Sequence, residues 1–151
     1  MERLEYKIEI SAQAKTVWET MLNEETYKQW VAKSWPNSFY EGKWAKGEEI
    51  RFIGPDGSGT LAELVELKPY ERVFARHVAV LGPGGVEDRT SDIAKGWIGI
   101  TEEYRFAERD GKTTVTVLIE ANKEWRPMFD EGWPTALEEL KKLTERQLTT
   151  A

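Results

Sequence analysis

Two side chains in this sequence stand where their chemistry is expensive. Across residues 97–108, Ile98, Ile100, Tyr104 and Phe106 recur at every second position, and Glu102 shares their parity. Period two is the repeat of a β-strand, whose successive side chains point to opposite faces. The apolar parity should face inward, which sets a carboxylate among Ile100, Tyr104 and Phe106. A buried carboxylate must be paired or protonated. The candidate partner is His77, the only histidine of the chain. It shares its parity with Val73, Ala75 and Ala79, whereas Arg72 and Arg76 take the other parity and prefer water. A Glu102–His77 pair facing one space has two uses. It could be a general acid/base couple. It could equally be a satisfied polar pair that orients a ligand or closes a core. No Ser or Cys nucleophile motif and no third member accompanies it, so both uses stay open.

Composition removes several other chemistries. There are no cysteines, hence no disulfide, thiolate nucleophile or Cys-based metal site. One histidine excludes a multi-His metal centre within one chain, and no cofactor is expected. The net charge is -6, from 21 basic and 27 acidic residues, and no basic run occurs, which disfavours nucleic acid as a partner. Hydrophobic residues make up 40% and charged residues 32%, as in a soluble globular protein with no membrane span. No apolar run precedes the first alternating segment, so no signal peptide is expected and a cytoplasmic location follows by default. Gly82-Pro83-Gly84-Gly85 lacks the Lys and Ser/Thr of a phosphate loop. Glu87, Asp88 and Asp92 match no calcium-loop spacing.

The elements that must position Glu102 and His77 follow from periodicity and punctuation. Leu4, Tyr6, Ile8 and Ile10 alternate with charged residues as a first strand. Ser11 is a candidate N-cap for a short helix over 12–22, and Asn23 for a second one carrying Tyr27 and Trp30. Further strands are expected over 38–44, 48–53, 59–67, 72–80, 97–108 and 113–121. Gly54-Pro55-Asp56-Gly57, Lys68-Pro69-Tyr70-Glu71 and Asp110-Gly111 supply turns. A polar loop spans 82–95. The sheet thus has about six or seven strands.

One long helix closes the chain. Phe129, Trp133, Leu137, Leu140 and Leu143 line one face of it, opposite Glu138, Glu139, Lys141 and Lys142. Pro127 suits its first turn. Pro134 lies inside the pattern and removes a hydrogen bond to the Asp130 carbonyl, so a kink or restart is expected there, with Gly132 adding local freedom. A helix bearing two large aromatics must pack on the sheet. The seven tryptophans are either core pieces or cavity walls.

The order of these elements, strand, two short helices, antiparallel meander and long final helix, resembles the helix-grip fold of the START/Bet v 1-like (SRPBCC) superfamily. Several stretches are similar to one branch of it, the C-terminal domain of the heat-shock-protein-90 ATPase activator. They are Val17-Trp18 with Trp30 downstream; Gly85-Val86-Glu87-Asp88; Trp97-Ile98-Gly99-Ile100-Thr101-Glu102-Glu103-Tyr104; Asp110-Gly111-Lys112-Thr113; and Phe129 to Leu143 around Trp133-Pro134 and Ala136-Leu137. The resemblance implies an α+β domain over residues 1–151, a curved antiparallel sheet gripping the final helix with a cavity between. In the superfamily such cavities hold apolar molecules, and some members are cyclases or dehydratases. Glu102 and Tyr104 match the branch's recurrent Glu-x-Tyr pair. The expected function is binding of a small, largely apolar molecule. Trp30, Trp97 or its neighbours, Phe129 and Trp133 would form the walls; Glu102, His77 and Tyr104 would hold the polar end. A cyclase- or dehydratase-type enzyme using Glu102 and His77 is the alternative. A chaperone-binding module is another, with a protein partner.

Overall fold

In the computed structural model, residues 1–149 are described, with side chains through Arg146. The alternation of the N-terminal segment becomes β1 (Glu2–Ile10), with Leu4 and Ile10 buried. Two short helices follow, α1 (Ala14–Leu22) and α2 (Glu24–Val31). The meander is β2 (Phe39–Glu41), β3 (Glu49–Ile53), β4 (Gly59–Lys68), β5 (Arg72–Leu81) and β6 (Glu87–Asp88). After α3 (Asp92–Trp97) come β7 (Thr101–Arg109), β8 (Lys112–Ala121) and the long α4 (Arg126–Thr149). The strands form one 8-stranded sheet in the order β1-β8-β7-β5-β4-β3-β2, with β6 paired to β5. All pairings are antiparallel. The α+β helix-grip architecture is therefore the observed one. The curved sheet packs α4 against β1, with α1 and α2 closing the other side of that helix.

The periodic face of α4 is the core face. Phe129, Trp133, Leu137, Leu140 and Leu143 are all buried, and they meet Ile100, Tyr104, Phe106, Val115, Val117 and Ile119 in one cluster. Beyond this burial, Tyr6 Oη donates to Asp130 Oδ1 at 2.7 Å, which ties β1 to the first turns of α4.

Four local expectations change. The first helix starts at Ala14 and has no side-chain cap; Ser11 instead donates its N–H to Glu145 of α4 at 2.9 Å. The free N–H of Ala14 is taken by Glu108 Oε1 at 2.7 Å, so β7 caps α1 from across the fold. Asn23 does cap α2, accepting from the Glu25 N–H at 2.9 Å. Second, the 82–95 loop contains β6 and the start of α3, whose N-cap Ser91 accepts from Ala94 N–H. Third, β7 begins at Thr101, because Trp97 belongs to α3 and Gly99 turns the chain at φ 97. Counting β6, the sheet gains a strand over the expected number.

The fourth concerns the restart of the helix, one of the two alternatives expected at Pro134. α4 runs through it as one helix. Gly132 is present for space, since a Cβ there would lie 2.5 Å from Cζ2 of Trp35. The same turn receives Ser34 Oγ, which donates to the Gly132 carbonyl at 2.7 Å.

Candidate functional site

Register brings the two costly side chains together. β5 pairs with β7 so that Ala75 faces Glu102 and Arg76 faces Thr101. Just beyond this ladder, the His77 N–H donates to the Ile100 carbonyl at 2.9 Å, and Gly99 N–H donates back to His77 at 2.9 Å. The turn after α3 thereby extends the pairing and holds His77 diagonally beside Glu102. Nε2 of His77 lies 3.1 Å from Oε1 of Glu102, and Tyr104 Oη donates to Oε2 at 2.9 Å. The side chains are 2% exposed for His77 and 12% for Glu102.

Burial alone would raise the Glu102 pKa. The hydrogen bonds from His77 and from the Tyr104 hydroxyl outweigh it and hold the carboxyl below the usual range. Tyr104 moves the other way, raised well above its ordinary value by burial and then by the neighbouring Glu102 charge. Tyr27 is raised by the same two causes in the same order. Both phenols thus stay protonated and neutral.

The His77–Glu102–Tyr104 chain forms part of the wall of a cavity of about 320 Å³ between the sheet, α2 and the first turns of α4. Trp30, His77, Trp97, Glu102, Tyr104, Phe129 and Trp133, the residues singled out from sequence, all line it. Trp133 is a wall and leaves the space open, with its ring 6.1 Å from Trp30 and 5.7 Å from Tyr104. Trp97 stacks on Phe129 at 5.9 Å and meets the His77 ring edge-on at 5.3 Å. As part of a strand, Trp97 would have faced away from Glu102; as the last residue of α3 it turns back into the cavity. Trp30 is anchored by donation from Nε1 to the Met21 carbonyl at 3.1 Å. Met128, 39% exposed, stands at the mouth.

Sequence reasoning missed Tyr27, Trp35 and Phe52 as lining residues. Tyr27 precedes Trp30 by three on α2, and Phe52 shares the parity of buried Ile50, so both carried a local signal. Trp35 carried none, because it follows α2 in an irregular segment and reaches the cavity by packing on Gly132. Among the described residues there is no group of three or more His, Cys, Asp or Glu side chains that could hold a metal. Asp88, from the acidic loop, is engaged by the Thr90 and Ser91 N–H groups and by the Ser91 hydroxyl.

The family described as "Activator of Hsp90 ATPase homolog 1-like protein" matches residues 11–145. The chain belongs to this family. It is thereby placed in the activator-like branch of the START/Bet v 1-like superfamily, and the solved structures agree on the fold. Protein MLL2253 from Mesorhizobium loti superposes with a TM-score of 0.75 at 13% identity, covering 96% of this chain and 98% of that one. The Aha1 dimer from Colwellia psychrerythraea gives 0.72 at 18% identity, covering 96% and 97%. DynU16, from the dynemicin biosynthetic locus, gives 0.71 at 18% identity, covering 96% of this chain and 48% of that chain. No curated protein matches the sequence. In this member of the activator-like family, no helix among the described residues is long and apolar enough to cross a membrane.

Proposed function

We propose that this protein binds a small, largely apolar molecule in the cavity between sheet and α4, with His77, Glu102 and Tyr104 orienting its polar end. The observation that carries the reading is the cavity itself. It has about 320 Å³ of space, aromatic walls and one buried polar chain. Small-molecule sites are typically concave, apolar and of about 300–1,000 Å³, with a few convergent polar groups. The family's helix-grip fold supports the same reading.

Thermal shift and native mass spectrometry over a panel of small aromatic and alicyclic compounds test it. Bound ligand raises the melting temperature in proportion to the logarithm of its free concentration over Kd. Quenching of the cavity tryptophans should accompany that rise. A panel without any melting shift or adduct would sink the reading.

The 3.1 Å contact between His77 and Glu102 also lies within the reach of an acid/base couple. Proton-transfer chemistry on the bound molecule, as in a cyclase or dehydratase, is therefore the second reading. Turnover that survives intact in Glu102→Gln would remove it. The family description supports a chaperone partner, which a pull-down with an ATPase assay checks.

A further inference from the structure

The hydrogen-bond chain in the cavity wall ends on an unsatisfied atom. Tyr104 occupies one oxygen of Glu102 and His77 Nε2 the other, yet His77 Nδ1 is buried and has no hydrogen-bond partner among the described residues. With Glu102 ionised, the carboxylate only accepts, so Nε2 must carry the proton. A second proton on Nδ1 would be a charged donor buried without an acceptor, which is costlier than a bare lone pair. The imidazole is therefore neutral, with its bare Nδ1 sealed inside the wall.

The charge of the site follows. Glu102 is the only carboxylate among the lining residues, and no lysine or arginine lines the cavity. Tyr27 and Tyr104 are held neutral by burial and by the Glu102 charge. One negative charge thus sits in a box of Trp30, Trp97, Phe129 and Trp133, whose ring faces attract cations.

We propose that the polar end of the ligand is a protonated amine, balanced by the Glu102 carboxylate and the surrounding aromatic faces. This rests on the ligand-binding reading above and narrows it to one chemical class. A carboxylic acid or a neutral carbonyl would place a further acceptor against a negative site.

The test uses three probes on one skeleton, 2-phenylethylamine, 2-phenylethanol and 3-phenylpropionate, titrated into the full chain at neutral pH by calorimetry. The amine should bind at least about tenfold more tightly than the alcohol, one decade being 1.4 kcal/mol, and the carboxylate should be the weakest. Glu102→Gln should erase the preference for the amine over the alcohol. The wild-type ranking stands without the variant should Glu102→Gln not fold. Because the chain has a single histidine, 15N spectroscopy of its ring reports the tautomer directly. The free protein should show a protonated Nε2 and a bare Nδ1, and the ring should keep that tautomer when the amine binds. A doubly protonated His77 in the free protein, or an alcohol or carboxylate that matches the amine, overturns the amine assignment and leaves the cavity reading standing. Failure of all three probes to bind overturns both.

Discussion

Glu102 and Glu103 are adjacent carboxylates on opposite faces of β7, and each meets burial differently. Glu102 is met inward by the His77 imidazole and the Tyr104 phenol. Glu103 is only 7% exposed on the outer face, where Arg72 Nε and Arg105 Nε donate to Oε2 at 2.6 and 2.7 Å. Parity alone assigned Glu103 to water along with Thr101 and Arg105. It is covered because long arginine side chains fold their stems over the strand, and alternation of residue types does not report that cover. Burial raises the Glu103 pKa, but the hydrogen bonds from Arg105 and Arg72 and their charges bring it below the usual glutamate range. A depressed folded pKa stabilises the protein above the unfolded value, and the gain is lost as pH falls through the folded one. Glu103→Gln should therefore cost about 1–2 kcal/mol at neutral pH, and the difference from wild type should shrink in denaturant melts below the ordinary glutamate pKa. A gap that stays constant from neutral to strongly acidic pH would contradict the assignment.

At the scale of elements, α4 was the most legible part of the sequence. Its spacing of apolar residues survives intact as the buried face. Its interior was less legible. Pro134 is a local signal for a break, but α4 is clamped on both sides of it, by Tyr6 on Asp130 and Ser34 and Trp35 on Gly132 before it, and by Lys141 on the Glu9 carbonyl and the Ser11 N–H on Glu145 after it. Tertiary contacts override the local preference. Gly132→Ala tests which role the glycine plays. Were freedom its purpose, alanine would stabilise the helix by up to about 1 kcal/mol. Because a Cβ there overlaps Trp35, destabilisation of about 1–3 kcal/mol is expected instead. The displaced Trp35 should also weaken or reshape ligand binding, since its ring belongs to the cavity wall. Thermal melts and probe titrations on the one variant read both effects.

For the whole molecule, the cavity is the space left where the sheet, α2 and α4 meet with more aromatic bulk than they need to touch. Trp133 supports that space, in contact with Trp30, Trp35 and Tyr104. Trp133→Ala should cost about 3–5 kcal/mol and enlarge the cavity. Indole, which replaces the lost ring, should recover part of the melting temperature in the variant and little in wild type. An unchanged melting temperature in the variant would show that Trp133 supports nothing.

Alternation, helical spacing and turn residues are local properties, so the order of the long strands and helices, the inward face of β7 and the buried face of α4 could be read from them, but the short β6 and α3 could not. Seven of the cavity's lining residues were readable too, because each lies on an apolar parity or stripe or is a large aromatic in a recognisable family pattern. Other features depend on what the chain meets far along its length. The capping of α1 by Glu108, the return of Trp97 through α3, the seat of Trp35 on Gly132 and the unpaired Nδ1 of His77 are of that kind. Whether a buried polar atom finds a partner is decided only when distant elements close around it. The tertiary structure alone therefore shows that the polar chain of this site ends on a buried atom without a partner among the described residues.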